Sequence, residues 1–229
     1  MTIPIDDLFR SNRKTISLII QPDGKLTVRA PQRMSQIQIM EFVRTHEDWI
    51  RKNQARVKDF PPLPLKVFRD GEFFLYLGQE YPLSVISHQR PALTFGNSGF
   101  QLSRSNLPGA RQVFFNWYKT QACFVISKRV EFLAAKHKFI YKKIRISSAR
   151  TRWGSCSITG TLSFTWRLVM APPEIVDYVV LHELVHTRIK NHSKTFWHRL
   201  GELLPEYKSS VHWLKQNGKF LTLLGKGDE

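Results

Sequence analysis

His182, Glu183, His186 and His192 fall within eleven residues of the sequence LHELVHTRIKNHSKTFW. On a helix, at about 100° per residue, positions four apart differ by only about 40°. His182 and His186 therefore project from successive turns of one face and can direct ring nitrogens at a single ion. Glu183 lies about 100° round from His182, off that face but within reach of a water held there. This is the HExxH arrangement, in which a metal acidifies water and the glutamate acts as general base.

Hydrolytic zinc sites take three protein ligands and leave a fourth position for water. His192 is six residues beyond His186, about 120° off the ligand face of a straight helix, so the chain must bend to bring it in. Asn191 suits the left-handed conformation that ends helices. Ser193 can then cap a second helix carrying Phe196, Trp197, Leu200, Leu203 and Leu204 on one side. His198 and Glu202 on that second helix are the alternatives for the third ligand. Cys156 is a further alternative, as a fourth ligand that would close the site.

The elements that must position these groups are legible around them. Pro172-Pro173 can open a helix, since proline lacks an N–H that the first turn leaves unpaired. The apolar residues Ile175, Val176, Tyr178, Val179, Val180, Leu181, Leu184, Val185 and Ile189 surround that helix and predict burial on most sides. Buried imidazoles need partners, and one ion satisfies two of them. Ahead of it, residues 141–168 read as two or three short strands, with a turn at Thr159-Gly160. Arg152, Trp153, Gly154 and Ser155 are the candidate substrate-binding segment, because an edge strand beside the helix can pair with an extended peptide. Arg150, Arg152, Tyr178 and His212 are candidates to stabilise a developing oxyanion.

Farther upstream, residues 15–30 alternate at period two around Pro22-Asp23-Gly24 and predict a β-hairpin. Ser35 and Gln38 form a capping-box signature opening one helix over 36–57, which Pro61 to Leu65 would end. Strands are expected at 72–77 and 81–87, then at 92–95 and 100–103, and a long helix from Pro108 to Lys138. The fold class is α+β: an N-terminal antiparallel sheet with one helix (1–106), then a zincin-like lobe (107–229) with a long helix, a short sheet and the HExxH helix.

Lys and Arg outnumber Asp and Glu by 35 to 18, a net charge of +17 that attracts nucleic acid, nucleotides or other anionic partners. Two unpaired cysteines, the lack of a signal-peptide pattern and the lack of a long apolar run point to a cytoplasmic protein with no membrane segment. Lys136, Lys138, Lys142, Lys143, Arg145, Arg150 and Arg152 concentrate charge just before the candidate site.

The segments RWGSCS (152–157), DYVVLHELVH (177–186), NHS (191–193) and FW (196–197) resemble the YgjP-like metallopeptidases, relatives of the SprT-like proteases. RKTISL (13–18), PDG (22–24), WIRK (49–52) and YLG (76–78) extend the resemblance over nearly the whole chain. It implies a zinc-dependent peptidase acting on polypeptide, with His182, His186 and His192 as Zn2+ ligands and Glu183 as catalytic base. Relatives of the SprT and Wss types digest proteins crosslinked to DNA, a setting compatible with the charge of +17. The spacing of the third histidine is also similar to that of metzincins, although Ile189 stands where they have glycine. Two alternatives use the same residues differently: a metal-dependent nucleoside triphosphate pyrophosphohydrolase, and a non-catalytic nucleic-acid-binding protein with structural zinc.

Overall fold

The computed structural model describes residues 3–21, 23–59 and 66–221, the side chains of 56–59 excepted. The chain divides into two compact units, 1–64 and 65–229. The boundary lies some forty residues before the expected one at 106/107, because the strands between them share a hydrophobic core with the helices that follow.

In the first unit, β1 (Asp7–Ser11), β2 (Ser17–Ile20) and β3 (Leu26–Pro31) form a sheet of order β1-β3-β2. The hairpin of β2 and β3 is antiparallel as expected, but β1 runs parallel to β3, so the sheet is mixed. Pro22 lies outside the described residues. The single helix expected over 36–57 is two, α1 (Gln36–Thr45) and α2 (Glu47–Asp59). Side chains break it: Thr45 Oγ1 and His46 Nδ1 both donate to the Phe42 carbonyl, at 3.0 and 2.8 Å. The His46 N–H turns instead to Val43, a tighter bond than the α-helical ladder uses. The Ser35–Gln38 capping box is present in both directions. The prolines expected to end this stretch fall outside the described residues.

The second unit begins with β4 (Phe73–Tyr76), β5 (Gln79–Ile86), β6 (Leu93–Gly96) and β7 (Gly99–Ser103), in the order β4-β5-β7-β6. All four strands were expected, but β5 and β7 are parallel, so this sheet too is mixed rather than antiparallel. α3 (Ala110–His137) follows, with Lys138 in the left-handed conformation as its cap. Its face packs Phe114 and Tyr118 against Phe74, Phe100 and Trp166, all shielded from solvent. Burial of aromatics on this scale is the main attraction holding sheet to helix.

A third sheet of order β8-β10-β9 comprises β8 (Lys143–Ser147), β9 (Gly154–Cys156) and β10 (Thr161–Thr165). β8 is parallel to β10 and β9 antiparallel to it, which leaves β9 at an edge. Three helices complete the unit: α4 (Pro173–Val185), α5 (Lys194–Leu203) and α6 (Tyr207–Asn217). Among the described residues no helix is long and apolar enough to cross a membrane.

Two devices fix α4. The β4–β5 turn docks on the segment before it, Leu77 and Gly78 donating to the carbonyls of Val169 and Met170 at 2.8 and 3.1 Å. Gly78 has φ +80°, and a β-carbon there would meet Pro172 Cγ at 2.7 Å, so only glycine permits the contact. From the other side, Arg129 of α3 grips Asp177 of α4 with two bonds of 2.6 Å. That pair is partly exposed, so its charge is screened and its paired geometry sets orientation more than stability.

Candidate metal centre

α4 opens at Pro172-Pro173 as expected and is buried on most sides. His182 and Glu183 lie in its last turn and His186 caps it. The chain then tightens: Thr187 and Arg188 donate to Leu184 and Val185, each at 3.0 Å, and Thr187 Oγ1 donates to Leu184 at 2.7 Å. The bend expected at Asn191 is made earlier. Among the described residues Asn191 is not at positive φ, and the turn is held by His186 Nδ1, which donates to the Ile189 carbonyl at 2.9 Å. Ser193 occupies the cap of α5, yet its hydroxyl makes no capping bond.

The bend brings His192 back over α4. Its Nε2 lies 3.0 Å from His182 Nε2 and 3.2 Å from His186 Nε2. Among the described residues these three are the group able to share a metal ion. Their chemistry fits one. A carbonyl only accepts, so His186 Nδ1 carries the proton and its Nε2 presents a lone pair to the other rings. Orienting one ring nitrogen by a backbone carbonyl is how ligand histidines are held. Tetrahedral zinc bonds of 2.0–2.1 Å would space their nitrogens by about 3.3 Å, close to the separations found here.

Two of the rings, those of His182 and His186, are also kept neutral. Burial first, then the neighbouring histidines, pushes His182 down to about 3. His186 is lowered as well, chiefly by burial. Phe196 forms the floor, fully buried and touching all three imidazoles at centroid distances of 4.5–4.8 Å. Trp197 stacks on His192 at 5.6 Å, and Tyr207 of α6 stacks on Trp197 at 5.5 Å.

Glu183 is 5% exposed, and its Oε2 is buried with no hydrogen-bond partner. Burial raises it to about 8, against a lowering pull from Arg152. An orphaned carboxylate oxygen inside a protein is costly, and a ligand or water bound at the site would give it a partner. Glu183 rests on the edge strand: a β-carbon on Gly154 would lie 2.6 Å from both its Cγ and its Oε1. Gly154 is there because nothing larger fits.

The remaining segment residues divide. Trp153 packs over Gly218, where a β-carbon would meet its ring at 2.7 Å. Ser155 points to the face of β9 opposite Gly154 and Cys156. Arg152 is exposed. What the strand offers is backbone. The Trp153 carbonyl and Ser157 N–H are bonded to Thr165 and Thr161 of β10, so by alternation the N–H and C=O of Gly154 and Cys156 face the open edge.

The alternative ligands stay out of the cluster. His198 and Glu202 lie 3.6 Å apart on the exposed face of α5, and Glu202 also holds Arg199 at 2.8 Å. Cys156 sits 3.9 Å from Lys190 Nζ, with its thiol raised by burial. Among the oxyanion candidates, Tyr178 is buried one turn before His182, with ring centroids 5.9 Å apart. Burial, then Glu183 and Tyr207, pushes its hydroxyl up to about 12, so it keeps its proton. His212 and Arg150 are exposed. The sequence reading gave no role to Phe196 and Trp197 beyond packing and none to Tyr207; an aromatic pair four and five residues after a candidate ligand was the available signal.

No curated protein matches the chain. Two solved structures share a local likeness: the metallopeptidase zymogen of Pyrococcus abyssi abylysin at 19% identity and that of Methanocaldococcus jannaschii jannalysin at 26%. Each covers 40% of this chain, with 93% and 94% of the respective neighbour and a TM-score of 0.36 in both cases. The YgjP-like metallopeptidase domain matches residues 14–217, most of the chain, so the protein belongs to the YgjP-like metallopeptidases, hydrolases that work with a divalent metal.

Proposed function

We propose that the protein hydrolyses peptide bonds at a zinc centre held by His182, His186 and His192 in a zincin-like lobe, with Glu183 as general base. The convergence of three Nε2 atoms, two of the separations being 3.0 and 3.2 Å, carries this reading. Zinc bound there supplies Lewis acidity, making water a better acid and a carbonyl a better electrophile.

The chain's own groups do the rest. The free edge of β9 holds an extended polypeptide through the Gly154 and Cys156 backbone, which orients the scissile bond without demanding particular side chains. Glu183, lying against Gly154, takes the water's proton on its unpartnered Oε2 and returns it to the leaving amine. A cation at the site and Arg152 both favour the ionised carboxylate that a base needs. Tyr178, protonated throughout the neutral range, is a donor available to a developing oxyanion. Membership of a peptidase family favours attack on an amide carbon over attack on phosphorus.

The test offers zinc-loaded protein an unfolded polypeptide, with and without DNA, and in parallel a panel of nucleoside triphosphates. Chelator-sensitive proteolysis lost in Glu183→Gln is the expected result. Pyrophosphate release lost in the same variant, without proteolysis, would replace the peptidase reading with the phosphoanhydride one. DNA binding with neither activity would leave a non-catalytic role.

A further inference from the structure

Pairing along a strand edge supplies hydrogen bonds but no side-chain preference, so selectivity has to come from groups at the ends of the strand. β9 has a cation at each end. Arg152 precedes it, exposed, and among the described residues makes no hydrogen bond or ion pair; its charge is felt by Glu183. At the other end the exposed Lys190 reaches across from the α4–α5 turn, its Nζ 3.2 Å from the Ser157 carbonyl. An ammonium has three N–H groups; that bond and the 3.9 Å contact to Cys156 Sγ engage two of them and leave one for a ligand.

We propose that this edge selects acidic polypeptide segments, Arg152 and Lys190 binding aspartate or glutamate side chains on either side of the scissile bond. The proposal rests on the peptidase reading and names the substrate class for the same site. From Arg152 to Ser157 the strand spans roughly 16 Å at about 3.3 Å per residue, so a paired peptide of about six residues meets both cations. A carboxylate within about three residues of the scissile bond on each side is then opposite a positive charge. Glu183 is committed to the proton, so the strand presents no free anion to attract a basic segment. The net charge of +17 adds steering in the same direction. Exposed contacts of this kind are individually weak and screened by salt. Two acting together predict about a tenfold preference at low ionic strength, most of it lost in high salt.

The experiment uses two fluorescein-labelled octapeptides with the same apolar centre, one flanked by Asp and Glu and the other by Lys and Arg. Dissociation constants are measured on the full-length Glu183→Gln protein, and kcat/KM on the zinc-loaded wild type. The acidic peptide is expected to bind and be cut about tenfold better. The double variant Arg152→Glu/Lys190→Glu should invert that order. The double variant Lys119→Glu/Lys128→Glu, equal in net charge but altered on α3, should keep it. Zinc content of each protein, measured alongside, separates a change of preference from loss of the metal. Equal handling of the two peptides, or the same loss of preference in the α3 variant, would overturn the proposal. If both peptides are cut at equal rates, the selectivity fails and the peptidase reading survives. If the acidic peptide binds selectively and neither is cut, the reverse holds.

Discussion

The Glu183 carboxylate lies directly on the backbone of Gly154, with Oε1 2.6 Å from where a β-carbon would stand. One methyl group therefore competes for the space of the proposed base. Gly154→Ala should lower kcat/KM at least tenfold by displacing Glu183, and cost about 1–3 kcal/mol through overpacking. Zinc content should be unchanged, because Gly154 is not part of the histidine cluster. Full activity in this variant would remove Glu183 from the mechanism.

His186 has two tasks and His192 one. Besides facing the other rings, His186 closes the turn after α4 by donating to Ile189 at 2.9 Å. In chelator, where ligand roles drop out, His186→Ala should be less stable than His192→Ala by about 1 kcal/mol, the typical worth of such a bond. Thermal melts of the two proteins without metal give the comparison.

The pH dependence of the metal-free protein follows from two opposed shifts. Glu183, raised from 4.5 to about 8, binds its proton more readily folded than unfolded, so its contribution is whole below about 4.5 and lost as pH rises through 8. His182, lowered from 6.5 to about 3, holds its proton less readily folded, so its contribution is present above 6.5 and lost as pH falls through 3. In chelator, Glu183→Gln should therefore gain on wild type between pH 5 and 8.5, by up to a few kcal/mol at about 1.4 kcal/mol per unit of displacement. Added zinc should shrink the gap, since a nearby cation stabilises the carboxylate.

Trp197 braces the exposed His192 ring, and Tyr207 braces Trp197. Residues that orient a ligand without touching the metal are typically worth 10–100-fold in affinity. Trp197→Ala should weaken zinc binding by about tenfold in a chelator competition, and Trp197→Phe by less. Unchanged affinity in the alanine variant would assign the stack to packing alone.

The site was more legible in the sequence than the sheets that carry it. Helical spacing alone puts His182 and His186 on one face, because periodicity is a local property of the chain. The return of His192 was also expected, but through Asn191. The actual device, a ligand histidine bonding the Ile189 carbonyl, is invisible to propensity because it depends on a ring orientation. Strand positions such as 79–86 and 99–103 follow from local pattern. Their parallel pairing does not, since strand direction is decided by which elements pack together. The same limit moved the boundary between units: β4 to β7 look self-contained in sequence, yet Phe74 and Phe100 complete the core of α3. Gly154 read as part of a substrate-binding segment, and its close approach to Glu183 needed the fold.

X-ray absorption on the zinc-loaded protein tests the central claim most directly. The account predicts three imidazole nitrogens and one oxygen at about 2.0–2.1 Å, with one imidazole lost in His192→Ala. A sulfur at about 2.3 Å, or an imidazole count unaffected by that substitution, would contradict it.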